Sequence, residues 1–288
     1  MIRSRSILRA VYGLWTLVLA AGPVAAMGDP AKPIAASIVG QLVGTNAGAH
    51  CVVIRFAIEP KWHLYWSNPG DSGAPPTVQL TLPTGWRAHA PLFPRPTIMG
   101  KAGDRTFGYE NSLDLLVPVT PPAGVPAGEV ARSIAIGAKI GWLACKESVC
   151  VLGNSELSAE VSTEPAPDAV LSTLRSYPTR LPPSISASVE GVSEHQSLVI
   201  SAKVSAGSPA IQFIPDAVAG IEFLDGTGPM HATVLGDRVM IRLAFALHPQ
   251  DAVDGPPRLR GLLLMGSKDS DLAYQIDLAP PVVPVGPR

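Results

Sequence analysis

The chain is poor in charge, poor in cysteine and, after its first residues, without a long apolar run. Charged residues make up 16% of its 288 positions, and the formal net charge is −1. A nearly neutral chain offers no electrostatic attraction to nucleic acid or to an anionic membrane surface, so neither is expected as a partner. The three cysteines, Cys51, Cys145 and Cys150, are too few to staple a small disulfide scaffold. Outside the cytosol their odd number also leaves at least one out of any intramolecular disulfide. No stretch past the first 26 residues is long enough and free enough of charge to cross a bilayer. The six histidines are scattered, and Met99, Met230, Met240 and Met265 form no short-range cluster of the kind a copper-binding segment shows.

Proline and glycine, by contrast, are abundant at 30 and 27 residues, and they separate short β-branched and apolar runs. Both are costly inside helices, so the pattern predicts strands and turns. An apolar fraction of 47% is too high for a disordered chain. The length suits one large domain or two ordinary ones.

The chain opens with Arg3, Arg5 and Arg9, an apolar run from Ala10 to Ala21, and small residues ending in Val24-Ala25-Ala26. That order predicts a secretory signal peptide over 1–26, cleaved before Met27, with an uncleaved anchor as the competing reading. The mature chain is then expected to be a soluble protein of an oxidising compartment. Strands are expected around Cys51–Ile58, Thr77–Leu82, Leu113–Val119, Ala131–Trp142 and Leu157–Val161. Cys51–Ile58 alternates imperfectly, as does a strand covered on much of both faces. Residues 67–76, SNPGDSGAPP, read as a loop.

Residues 164–183 differ in composition: Asp168 can cap a short helix over Ala169–Ser176 that Pro178 would stop. This segment is expected to link two domains. Beyond it, short runs at Ser184–Val189, Ser197–Ala202, Ile211–Ile214, His231–Leu235, Val239–Phe245 and Gln275–Leu278 read as a second set of strands. The expected fold is all-β, two immunoglobulin-like β-sandwich domains at 32–163 and 184–282 joined by that short helical or Pro-rich linker, with a frayed tail at 283–288. One continuous large sandwich is the competing architecture.

The most informative stretch is Ile140-Gly141-Trp142-Leu143-Ala144-Cys145-Lys146-Glu147-Ser148-Val149-Cys150. A tight turn between two strands can bring such cysteines within bonding reach. Lys146 would favour a thiolate at Cys145 and Glu147 would oppose it. Three chemistries remain open on the residues alone: a structural disulfide, which would close a small loop and stabilise by about 2 kcal/mol, a copper or zinc site, for which no zinc-like ligand cluster surrounds the pair, and a reversible dithiol with a redox partner.

Three blocks then carry a resemblance: WHLYWSNPGDSGAPPTVQLTLPTGW at 62–86, TFGYE at 106–110 and IGWLACKESVC at 140–150. Together they resemble the periplasmic amino-terminal domain of the thiol:disulfide interchange protein DsbD family, in particular its ScsB-like branch, over about residues 35–160. The resemblance implies an immunoglobulin-like sandwich whose cysteine pair, here Cys145 and Cys150, passes reducing equivalents to exported proteins. It implies a DsbD-type membrane or thioredoxin-like electron donor and a periplasmic disulfide-containing acceptor as partners. Sulfur exchange requires no cofactor. Family association with copper tolerance and cytochrome c maturation comes with the same resemblance. It also implies a slight preference for Cys150 as the sulfur a partner contacts. The four residues between the cysteines differ from the spacing in other branches, and Leu152-Gly153 stands where Pro-Gly is expected. No membrane channel or thioredoxin-like Cys-x-x-Cys segment follows in the sequence, so a separate donor is expected. The competing function is a non-catalytic binding or assembly module with a structural disulfide.

Phe107 and Tyr109 match the neighbourhood of the family's cap loop, in which an aromatic shields the disulfide, and with Trp142 they are candidates for a cap or site wall. Phe107 and Tyr109 are equally candidate core residues, and for Trp142 the core is the preferred reading. In the Trp62, His63, Tyr65, Trp66 cluster, strand alternation puts Trp62 and Trp66 on one face and His63 and Tyr65 on the other. Packing against the loop at 67–76 is the expected result, with Asn68, Asp71 and Ser72 bonding to that loop's own backbone. Cys51 is expected to be a buried, inert thiol.

Overall fold

The computed structural model describes residues 32–44, 50–101, 104–124, 132–164, 177–190, 195–203, 211–216, 220–224, 230–231, 233–235, 238–248, 251, 257–266 and 272–280. The leader at 1–26, the short helix expected over 169–176 and the tail at 283–288 lie outside the described residues. Among the described residues the regular elements are β-strands, and no helix is long and apolar enough to cross a membrane. The expected all-β fold is therefore what forms.

In the first half, Ile34–Ile38, His50–Ile58, Ser112–Thr120 and Arg87–Ala88 lie side by side in that order, and Val43–Gly44 also pairs with His50–Ile58. The second sheet runs Val149–Ser162, Ser133–Lys146, His63–Gly70, Asp104–Glu110 and Thr97–Lys101, with Thr77–Thr81 paired to Ser133–Lys146. Alternate residues of both sheets meet in one core: Val52, Ile54, Phe56, Leu113, Leu115 and Val117 from the first, and Trp62, Leu64, Trp66, Phe107, Ile134 and Ile136 from the second. A fully buried side chain of this size stabilises by about 1.5–3 kcal/mol. Exposed ion pairs such as Lys139–Glu156, with side chains 67% and 77% exposed, contribute about 0–1 kcal/mol. The packed core, not surface charge, holds this half together.

In the second half one sheet runs Thr179–Arg180, Ala273–Leu278, Leu259–Met265, Ile211–Pro215 and Met230–His231. Another runs Ile185–Glu190, His195–Lys203, Arg238–Leu247 and Ile221–Phe223, with Thr233–Leu235 on Arg238–Leu247. Their facing side chains, Leu198, Ile200, Phe213, Ile241, Leu243, Phe245, Leu259, Leu263 and Ile276, make a second core. Thr179–Arg180 pairs with Ala273–Leu278 in parallel, and the other strand-to-strand ladders are antiparallel.

The two halves are in contact. Ile214, Leu262, Leu264 and Ala273 turn away from the second core and join the first. The run Leu259–Met265, LRGLLLM, is thus buried on both faces, which is why it shows no alternation and was not expected as a strand. Two buried polar side chains cross the same boundary. Arg95 donates from Nη1 to the Leu272 carbonyl at 3.0 Å and from Nη2 to the Gly266 carbonyl at 2.9 Å. Asn68 Nδ2 donates to the Pro215 carbonyl at 2.6 Å.

The expected loop at 67–76 begins later than its composition suggested. The strand His63–Gly70 continues to Gly70 through an irregularity after Tyr65. Asn68 bonds the loop's own backbone through Oδ1, which accepts from Gly70 N at 3.0 Å, but its amide reaches the other half. Asp71 Oδ2 accepts instead from Arg105 N at 2.7 Å, on the neighbouring strand.

Candidate functional site

The cysteine pair sits at the end of the longest hairpin. Ser133–Lys146 and Val149–Ser162 pair over their whole length, and Lys146 opposite Val149 leaves only Glu147 and Ser148 to turn the chain. Glu147 adopts a φ of +52°, the left-handed value a two-residue hairpin turn demands at its first position. With Lys146 and Val149 closing the turn, Cys145 and Cys150 form the next pair, in which side chains come closest. They are joined by a disulfide, with Cα atoms 4.1 Å apart.

The two sulfurs have different surroundings. Cys145 is 2% exposed, whereas Cys150 lies on the outermost strand of its sheet and is exposed. Val149 and Leu152, beside Cys150, are 57% and 83% exposed. Of the two, Leu152 shares the face of Cys150, so an exposed apolar side chain stands next to the more exposed cysteine.

Strand register sets four residues in a row across the sheet: Cys150 opposite Cys145, Cys145 opposite His63, and His63 opposite Glu110. Directly paired residues point to the same face. That face is turned away from the core, because the neighbours Ala144, Leu64 and Tyr109 are the ones that enter it. The His63 ring is half-buried, its Nε2 is 3.2 Å from the Tyr65 hydroxyl, and the two rings meet edge-on at 5.1 Å. Burial lowers the His63 pKa from its ordinary value, and the nearby Glu110 carboxylate offsets part of that effect. Tyr65 is itself buried, and its phenol is pushed up by that burial. The loop after this strand covers it: a Cβ at Gly73 would stand 2.2 Å from the Tyr65 ring, and Gly73 has a φ of +112°. Trp62 and Trp66 enter the core and His63 and Tyr65 the opposite face, as alternation predicts.

Phe107, Tyr109 and Trp142 are not brought to the disulfide. Phe107 and Tyr109 alternate with Gly108 and Glu110, so they point into the core. There Phe107 meets Trp66 edge-on at 6.3 Å and the Tyr109 hydroxyl donates to the Pro94 carbonyl at 2.8 Å. Trp142 lies on the core side as well, edge-on to Phe56 at 6.1 Å. In register with the disulfide on its own face are His63 and Glu110. Alternation within WHLYW separates His63 from the tryptophans, but nothing local in the sequence shows which strand lies beside it. Cys51 is a free, fully buried thiol on the opposite side of the first sheet, packed with Val53, Leu116 and Tyr177. Among the described residues no three His, Cys, Asp or Glu side chains come together in a way that could hold a metal ion.

A β-sandwich that presents a disulfide at a hairpin tip, with one sulfur buried and one exposed, defines the class. Residues 35–162 match the family described as "Thiol:disulfide interchange protein DsbD, N-terminal". Among solved structures, the chain is similar to the N-terminal periplasmic domain of ScsB from Proteus mirabilis. The two are 16% identical, the match covers 87% of this chain and 94% of that one, and the TM-score is 0.53. The likeness shows a shared fold extending over both halves. Likenesses to the YadV chaperone and to the pilin subunit BcpA of Bacillus cereus, at 10% and 12% identity, cover 86% of this chain in each case and 100% and 66% of those chains. Their TM-scores of 0.21 and 0.25 are too low to bear on fold. No curated protein matches the chain.

Proposed function

We propose that this protein is a periplasmic thiol–disulfide exchange relay working through Cys145 and Cys150. The observation that carries the reading is the unequal exposure of a disulfide-bonded pair at the tip of a hairpin, in a stretch that matches the DsbD amino-terminal family. In the oxidised protein, a donor thiolate attacks Cys150 Sγ and forms a mixed disulfide, and Cys145 leaves as a thiolate that takes up a proton. A second donor thiolate then releases Cys150, so two electrons enter the pair. In the reduced protein, Cys150 attacks an acceptor disulfide, and Cys145 displaces the acceptor and restores the Cys145–Cys150 bond.

A DsbD-type membrane protein or a thioredoxin-like domain is the donor on this reading, and disulfide-bonded exported proteins are the acceptors. Residues 1–26 direct export. Residues 32–163 and 184–282 are two sandwich domains joined by 164–183, the first carrying the chemistry. Leu152, exposed on the same face as Cys150, supplies apolar surface against which a partner settles.

The test is the reduction potential of the pair in the mature protein, read by redox-buffer titration and mass-resolved alkylation with Cys51 replaced. A relay requires a midpoint in the range of exchanging dithiols, about −120 to −270 mV. A midpoint below about −300 mV would mark the bond as structural and end the proposal.

A further inference from the structure

We propose that His63 is the proton acceptor for Cys145, so that the resolving thiol of this protein is activated by a histidine from the adjacent strand. The inference rests on the relay reading above and adds a group to it.

The argument is geometric. In the disulfide-bonded protein Cys145 is 2% exposed, so its sulfur sits where protein side chains and not bulk water are its immediate neighbours. Its register partner on the side away from Cys150 is His63. Directly opposed residues of antiparallel strands hold their Cβ atoms about 4.5–5.5 Å apart, within reach of an imidazole. Tyr65 OH holds one ring nitrogen at 3.2 Å. The Tyr65 ring is in turn fixed beneath Gly73, so the imidazole has a set orientation. Beyond His63 the row ends at Glu110, whose exposed carboxylate opens to solvent. The titratable groups facing His63 are therefore Cys145, Tyr65 and Glu110. Asp71, on the covering loop, accepts from the Arg105 backbone. A histidine kept largely neutral by burial is a base at neutral pH.

The step balances as follows. After Cys150 has formed a mixed disulfide with the acceptor, the Cys145 S–H proton passes to the imidazole. The resulting thiolate attacks Cys150 Sγ, the Cys145–Cys150 bond forms, and the Cys150–acceptor bond breaks. The acceptor's sulfur leaves with the electron pair and takes a proton from water, while the imidazolium releases its own past Glu110. Cys145 and Cys150 are oxidised, and the acceptor disulfide is reduced by two electrons.

Reaction of the reduced protein with an aromatic disulfide separates the two sulfurs, because the first thiol released reports attack by Cys150 and the second reports ring closure by Cys145. In the parent the closure rate should level off above the His63 midpoint, below the ordinary thiol range. In His63→Gln it should climb about tenfold per pH unit toward the thiol's own pKa, lagging the parent by about a hundredfold near pH 6 to 7 and catching up near pH 9. The first phase should be unchanged. Glu110→Gln alters only an exposed side chain and should move the parent's midpoint down, since it removes the charge that raises the His63 pKa. A His63→Gln closure profile that superimposes on the parent's, or a midpoint that Glu110→Gln leaves in place, overturns the assignment and leaves the relay standing. Absence of closure in the parent itself removes both.

Discussion

Cys51 sits among Val53, Leu116 and Tyr177 with no exposed surface, and burial pushes its thiol up to about 11. At pH 8 such a group is almost wholly protonated, and its sulfur is unreachable as well, so it takes no part in exchange. The sign of its pH dependence follows from the direction of the shift. The folded state holds the thiol proton more tightly than the unfolded chain, so this contribution to stability is complete below about pH 9 and is lost as the pH rises toward 11. Tyr177 beside it is raised in the same direction, by burial first and by the neighbouring Asp114 and Cys51 next. Denaturation midpoints at pH 8 and pH 10.5 should therefore fall between the two for the parent, and fall less for Cys51→Ala. An equal drop in both would show that the thiol does not contribute. Alkylation in native buffer should label Cys150 of the reduced protein first and leave Cys51 unlabelled until the chain unfolds.

At the scale of elements, the hairpin that carries the disulfide depends on a close approach between its two strands. Trp142 lies opposite Gly153, and a Cβ at Gly153 would stand 2.4 Å from the indole ring. The ring is held from its other side by Phe56, so it has no easy retreat. Gly153→Ala should cost about 1–3 kcal/mol, the usual range for overpacking. Urea denaturation measures it, and a change under about 0.5 kcal/mol would show that Trp142 moves freely. Most strands of this kind were legible in the sequence, because one face of each is apolar and period two survives, as in Thr77–Thr81 and Arg238–Leu247. Leu259–Met265 was not, since both its faces are covered and its pattern carries no period. The candidate site divides the same way. The cysteine pair and its turn are local, so four intervening residues reveal them. His63 and Glu110 join the row only through pairings across 82 and 47 positions, the separations of Cys145 from His63 and of Glu110 from His63, which no local pattern encodes. Phe107 and Tyr109, in the neighbourhood of the family's cap region, are candidates from sequence for either a shield or the core, and their parity in the strand puts their side chains in the core.

For the whole molecule, the question is whether the two halves act as one body, and the strand His63–Gly70 bears on it directly. One end of this strand places His63 beside Cys145. At the other, Ser67 donates to Asp216 at 3.0 Å and Asn68 to Pro215 at 2.6 Å, both on the second half. The contact is completed by Arg95 on the Leu272 and Gly266 carbonyls and by Ile214, Leu262 and Leu264 in the first core. A hydrogen bond to a charged group contributes about 1.5–3 kcal/mol, so losing both bonds in Arg95→Ala should cost about 3 kcal/mol or more. Arg260→Ala, which removes only a partly exposed pair 4.0 Å from Asp216, should cost well under 1 kcal/mol. Calorimetry should show the parent melting in one transition and Arg95→Ala in two, because the second half then loses the contact that ties its unfolding to the first. If Arg95→Ala still melts in a single unshifted transition, the contact does not couple the halves. If it splits the transition while the Cys145–Cys150 potential stays constant, the second half stabilises the frame without tuning the disulfide. A shifted potential would instead mean that the grip on Ser67 and Asn68 is transmitted along the strand to His63, making the second half part of the redox site.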